Sequence, residues 1–195
     1  DWNRVEIEQR VYEPQRDVFT FDSPEMRILY RILDWHQKNQ AEVFFQQMWC
    51  NVEWLAYPEF RDDQVGRVHS APVDLDAFAD GLATLMEHLI KNRDYSCIKW
   101  LCINNEPGAN FSWWQAPPNK ALSIASGLAA VRKALDERGM RLPLSGPDTT
   151  TAFPAQVPGD LDYLGLLGAY DFHDYGADFD FRTKGHIATQ ERNAA

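Results

Sequence analysis

Short apolar runs alternate along the chain with longer segments whose apolar residues recur at helical spacing. In VEIEQRVYEP, Val5 and Ile7 point one way with polar neighbours between them, the period-two pattern of an extended strand. FDSPEMRILYRILDWHQKNQ changes the period: Met26, Leu29, Tyr30 and Leu33 recur at helical spacing, predicting a helix with Ser23 as N-cap and Pro24 in its first position. AEVFFQQMW is the next strand. After a long polar loop, VDLDAFADGLATLMEHLIKN gives the cleanest helix, its Leu75, Phe78, Leu82, Leu85, Met86 and Leu89 forming one stripe. CIKWLCINN follows as a strand, NKALSIASGLAAVRKALDERGM as a helix ending near Gly139, and LPLSGPDTT as a short strand. PGDLDYLGLLG predicts a brief helix, AYDFHDYG a last strand, and GHIATQERNAA the start of one more helix.

This rhythm predicts a parallel sheet with helical crossovers, either an open doubly wound sheet or a (β/α) barrel. A nucleotide-binding open sheet declares itself by a glycine-rich first turn, and neither common form of that turn occurs. Polar and aromatic residues gather instead just after several separate strands, as they do where a barrel builds its site from many βα loops. About five strands are legible where a full barrel has eight. The chain opens in a strand and closes in a helix, so the expectation is a partial (β/α)8 TIM barrel over residues 1–195 rather than a complete five-stranded α/β domain.

Composition narrows the partners. With 195 residues, 45% of them hydrophobic, the chain can bury one ordinary core. Its net charge of -10 comes without any cluster of Lys or Arg, so nucleic acid and anionic membranes are poor partners. No apolar run approaches the ~20 residues that span a bilayer. Neither an initiator Met nor a signal-peptide pattern opens the chain, which is therefore read as mature, trimmed or internal to something longer, with no compartment legible. Cys50, Cys97 and Cys102 are too few and too odd in number for a disulfide framework and read as core thiols. Without a Cys-x-x-Cys pair or a His-Glu-x-x-His helix, no zinc site is expected. Aromatic content is the anomaly: of seven Trp, four (Trp49, Trp54, Trp113 and Trp114) fall just beyond apolar runs, where loops begin.

The stretch KWLCINNEPGANFSWWQ concentrates the chemistry. Glu106 follows a buried strand and precedes Pro107, which cannot extend the ladder and biases Glu106 away from helical dihedrals. A carboxyl group at the rim of an apolar barrel, close to indoles, has its charged form disfavoured and moves toward the range of a neutral-pH proton donor. The same residue could instead cap a turn or pair with a cation in solvent.

Asn105-Glu106-Pro107 after a hydrophobic strand, with Trp113-Trp114 behind it, resembles the signature of the retaining glycoside hydrolases of clan A, the (β/α)8-barrel group of cellulases, β-mannanases and relatives. The resemblance implies that the pair ends a fourth strand, with Glu106 as general acid/base and Asn105 hydrogen-bonded to the sugar 2-hydroxyl. Arg4, in DWNRVEIEQ, matches the second-strand Arg that supports the nucleophile. Gln47, Trp49 and Trp54, in VFFQQMWCNVEW, stand where third-strand residues contact sugar. His173 and Tyr175, in YDFHDYG, match a His-x-Tyr after strand six, so the chain corresponds to strands two to six. FFQQMW has no counterpart of the third-strand His that many relatives carry.

Retaining catalysis uses a second carboxylate ~5–5.5 Å from the first. In this clan it is a Glu ending strand seven, which the resemblance places beyond residue 195, so this stretch alone is expected to be inactive. Asp148, Asp171 and Asp174 match no clan position and read as structural or sugar-binding. The expected activity is hydrolysis of β-linked oligosaccharide or polysaccharide, cellulase-like in type, without cofactor. Tryptophan faces suit the apolar face of a sugar ring, and of the adjacent Trp113 and Trp114 one is expected to stack on sugar and the other to pack inward. His36, His69, His88 and His186 read as structural, and AYPEFRDDQVGRVHSAP as a solvated rim. Two rival readings stand beside this: a non-catalytic carbohydrate-binding barrel in which Glu106 only accepts hydrogen bonds, and an unrelated α/β-barrel enzyme or scaffold.

Overall fold

The computed structural model describes residues 1–50, 52–61, 64–107, 113–117, 124–150 and 165–173. Strands β1 (Trp2–Ile7), β2 (Glu42–Gln47), β3 (Ile98–Cys102), β4 (Leu144–Thr150) and β5 (Leu167–His173) form one parallel sheet in the order β1-β2-β3-β4-β5. Sequential order without reversal is what separates a barrel wall from a doubly wound sheet, whose strand order turns back on itself at a switch point. The fold is a partial (β/α)8 barrel.

Strand parity divides the sheet into two faces. Val5, Val43, Phe45, Leu101 and Leu144 are buried in the core shared with the helices. On the opposite parity, register aligns Arg4 with Phe44 and Trp100, then Glu6 with Gln46, Cys102 and Ser145. That second face is the one a closed barrel turns inward, and it carries the polar chemistry.

Helix α1 (Gln9–Tyr12) is a single turn after β1, and α2 (Pro24–Lys38) begins where the sequence pattern placed it. Ser23 Oγ accepts from Met26 N at 3.1 Å, satisfying one of the free amides of the first turn, and Pro24 occupies a position that needs no donor. After α3 (Gln64–His69), helix α4 (Leu75–Glu87) is capped by Asp74 Oδ1 on Ala77 N at 3.0 Å and runs on into a π-turn, His88–Asn92. Its apolar stripe packs against α5 (Ile124–Glu137). Among the described residues no helix is long and apolar enough to cross a membrane.

The loop read as a solvated rim departs from expectation. It contains a 3-10 turn at Pro58–Phe60 and helix α3, and it buries Tyr57, Ser70 and Ala71. Ala71 N donates to Gln115 O at 2.8 Å, and Gln115 N to His69 O at 2.8 Å, so this excursion after β2 is stitched to the one after β3. The sequence concealed this because the partners, such as Ser70 and Gln115, lie far apart along the chain and meet only on folding. All three cysteines are buried and free, as their number suggested.

Candidate active site

Glu106 lies just past the end of β3, only 8% exposed, with a backbone φ of 44°. The proline that follows favours extended geometry for Glu106, yet the residue adopts the left-handed region, which costs a non-glycine residue of order 1 kcal/mol or more. The carboxylate is held from two sides. Trp113 Nε1–H donates to Oε2 at 3.4 Å, and His173 Nδ1 lies 2.6 Å from Oε1. A carboxylate can only accept, so the ring nitrogen is the donor.

Asn105, the preceding residue, accepts from Arg4 Nη2 through Oδ1 at 2.9 Å, and its backbone N–H reaches Met48 O at 3.3 Å. The Arg4 side chain from β1 spreads across the strand ends: besides Asn105 it meets Gln46 Oε1, Asp148 Oδ2 at 3.2 Å, His173 Nε2 at 2.7 Å and Glu6 Oε1 at 3.1 Å. Four of the residues expected to carry chemistry (Glu106, Asn105, Arg4 and His173) therefore meet in one hydrogen-bonded cluster.

The tryptophans divide. Trp113 stacks on the His69 ring at 4.3 Å with planes 12° apart and faces Trp49 at 5.5 Å, tilted by 46°. Trp114 is 6% exposed, lies edge-on to Phe78 and covers Gly127, where an added Cβ would come within 2.7 Å of its ring. It is a core residue, which corrects the expectation of sugar contact at that position and matches the expectation that only one of the adjacent pair faces outward. Trp54 is half-buried against the core and its indole N–H donates to Glu13 O at 3.3 Å, away from the Glu106 cluster. The Trp49 indole N–H has no hydrogen-bond partner among the described residues.

Gln47 also departs from expectation. It shares the parity of Val43 and Phe45, so it points into the helix layer, fully buried, with Nε2 donating to Trp49 O at 2.9 Å. Tyr12 Oη and Gln9 meet it there, and Gln9 Nε2 donates to Glu13 Oε2 at 2.7 Å. The site-facing residue is its neighbour Gln46, whose Nε2 donates to Asp148 Oδ2 at 2.6 Å and to Asn104 O at 3.2 Å. Tyr175, Asp174 and His186 lie outside the described residues.

Asp148 and Asp171, read from the sequence as structural or sugar-binding, join the cluster around Glu106 and Arg4. Pairing between β4 and β5 slips between Pro147 and Thr149, leaving Asp148 as the extra residue with φ 56°. The bulge aims the buried Asp148 carboxylate at Arg4, Gln46 and His173, whose Nε2 lies 2.9 Å from Oδ1. Asp171 accepts from Ser145 Oγ and from Asp148 N at 2.8 Å. Burial and the neighbouring Asp148 charge push Asp171 up to about 6. For His173, burial acts to lower the imidazolium pKa, but Asp148, as hydrogen-bond partner and as charge, and then Glu106 outweigh it against Arg4, and the result is raised. His69 was read as structural, but its ring forms one face of the Trp113 stack. His36 and His88 are structural, bonded to Ile32 O and to Tyr30 Oη.

Cys102 Sγ and carboxylate oxygens of Asp148 and Asp171 lie within 4.8 Å of one another. Their chemistry does not suit a cation. Burial raises the Cys102 thiol well above its usual value, and the Asp148 oxygens are already taken by Arg4, Gln46 and His173.

Among solved structures, the chain is similar to a family 39 glycoside hydrolase from Bacteroides cellulosilyticus WH2, with TM-score 0.59 and 17% identity over 88% of this chain and 32% of that one. The catalytic domain of the GH30 xylanase C of Talaromyces cellulolyticus gives 0.57 and 14%, over 89% and 43%. Endo-glycoceramidase II from a Rhodococcus species gives 0.60 and 12%, over 98% and 52%. What this chain shares with them is the barrel fold. At these identities the likeness is one of fold, and the chain spans about a third to a half of the length of these structures. No family model matches the sequence, and no curated protein matches it significantly.

Proposed function

We propose that the chain is part of a retaining β-glycoside hydrolase in which Glu106 is the general acid/base. The observation that carries this reading is the placement of the Glu106 carboxylate between a Trp113 N–H and a His173 N–H, beside an Asn105 held by Arg4, in a fold shared with glycoside hydrolases. In the first half-reaction Glu106 gives a proton to the departing glycosidic oxygen while a carboxylate attacks the anomeric carbon. In the second, Glu106 takes a proton from water, which releases the sugar from the glycosyl ester. The attacking carboxylate is proposed as a Glu beyond residue 195.

Asn105 suits a role at the sugar 2-hydroxyl. Arg4 donates to its Oδ1, which fixes the amide orientation and leaves Nδ2–H as the donor. The tilted Trp49–Trp113 pair offers indole faces for sugar rings.

General acid assistance contributes on the order of 10²–10⁴-fold, and most where the leaving group is poor. In the protein containing this chain, Glu106→Gln is expected to lower kcat/KM for an unactivated phenyl β-glycoside by about 10²–10⁴-fold while sparing much of that for a 2,4-dinitrophenyl glycoside, whose departure needs no acid. Equal losses on both would refute the acid role. Unchanged turnover of both, with glycan binding retained, would favour a carbohydrate-binding barrel instead.

A further inference from the structure

We infer that Asp148 is a positioning residue for the Glu106 proton: it keeps His173 charged and turned so that Nδ1–H faces Glu106. The inference deepens the acid/base reading of Glu106 and rests on it. His173 Nε2 lies 2.9 Å from Asp148 Oδ1 and 2.7 Å from Arg4 Nη1, which compete for it. It can donate to the carboxylate or accept from the guanidinium, but not both, since Arg4 only donates. Donation to Asp148 leaves the ring doubly protonated, with Nδ1–H on Glu106 Oε1 at 2.6 Å. Acceptance from Arg4 leaves it neutral with the Nδ1 proton alone.

The surroundings decide between these. Among the described residues, the charged or titratable groups around His173 are Glu106 after β3, Asp148 on β4 and Arg4 on β1, with Glu6 paired to Arg4, Asp171 bonded to Asp148, and Cys102 beside the aspartates. Asp148 is 1% exposed, receives Gln46 and Arg4 on its other oxygen, and is held by the β4 bulge, so its Oδ1 stays committed to the ring. The raised proton affinity of His173 agrees with donation to Asp148.

The proton bookkeeping follows. With Glu106 resting as the carboxylate that accepts Nδ1–H, the Nδ1 proton of His173 passes to Glu106 and on to the leaving oxygen, leaving Glu106 ionised and a neutral ring that still donates Nε2–H to Asp148. When Glu106 takes a proton from water in the second half-reaction, the transfer reverses and the imidazolium is restored. Asp148 touches no substrate in this scheme and acts through the ring.

The test is an NMR pH titration of 15N-histidine in the full protein, with the His173 signal assigned by its loss in His173→Asn. Asp148→Asn is expected to lower the His173 midpoint by about one pH unit or more, the usual effect of removing an opposite charge at contact distance. Arg4→Gln, which removes the opposing positive charge, is expected to raise it. An unmoved midpoint in either folded variant overturns the inference. The alkaline limb of kcat/KM for an aryl β-glycoside is expected to shift in the same directions, which simple misplacement of side chains would not cause; a limb that stays while the midpoint moves also overturns it. Absence of any glycosidase activity in the wild-type protein would instead defeat the proposed function, with the titration still reporting on Asp148 and His173.

Discussion

Behind the site, Glu13 offers a stability test that depends only on the fold. It is 1% exposed, accepts from Gln9 Nε2 and from Asp17 N at 3.1 Å, and lies so close to α4 that a Cβ on Gly81 would fall 2.0 Å from Oε2. Burial, only partly offset by those hydrogen bonds, raises its pKa from 4.5 to about 7. At about 1.4 kcal/mol per pH unit, this makes the ionised form cost the native state about 3 kcal/mol. The sign follows from proton binding. Between pH 4.5 and 7 the native chain holds a proton that the unfolded chain has lost, so stability falls as pH rises through this window and levels off above it. Glu13→Gln removes the titration. Urea unfolding of both proteins at pH 5 and pH 8 is expected to show the wild type losing about 2–3 kcal/mol more than the variant across that interval. Identical pH dependence would refute the claim that this carboxyl is buried and weakly compensated.

Two further outcomes follow from packing and hydrogen bonding. Gly127→Ala is expected to destabilise the fold by about 1–3 kcal/mol, because the new methyl meets the rigid Trp114 ring; a variant as stable as wild type by denaturant unfolding would contradict that contact. Trp113→Phe keeps a ring over His69 but loses the N–H on Glu106, so kcat is expected to drop by about tenfold with KM little changed; a rise in KM alone would make Trp113 only a sugar platform.

Much of the architecture was legible because it rests on local pattern. Helix α2 announces itself through Ser23, Pro24 and a 3.6-residue stripe, and the strands through short apolar runs closed by polar residues. Glu106 stood out from the abrupt end of β3, and Asn105, Arg4 and His173 from the resemblance their motifs carry. Parity could have corrected Gln47: Val43 and Phe45 mark the core face of β2, and Gln47 shares their phase, which leaves Gln46 for the site. Asp148 was beyond reach, since the bulge that aims it arises from pairing with β5 and leaves no mark in LSGPDTT. The same holds for His69, whose partner Trp113 is brought to it by the backbone pairing of Ala71 with Gln115.

The central claim is that Glu106 exchanges the proton in both half-reactions. Its most direct test uses Glu106→Ala in the full protein, a 2,4-dinitrophenyl β-glycoside and sodium azide. With the carboxylate gone, azide needs no deprotonation and fits the vacated space, so the expected result is accelerated turnover and a glycosyl azide of β configuration. Turnover indifferent to azide, or an azide product of α configuration, would contradict the account.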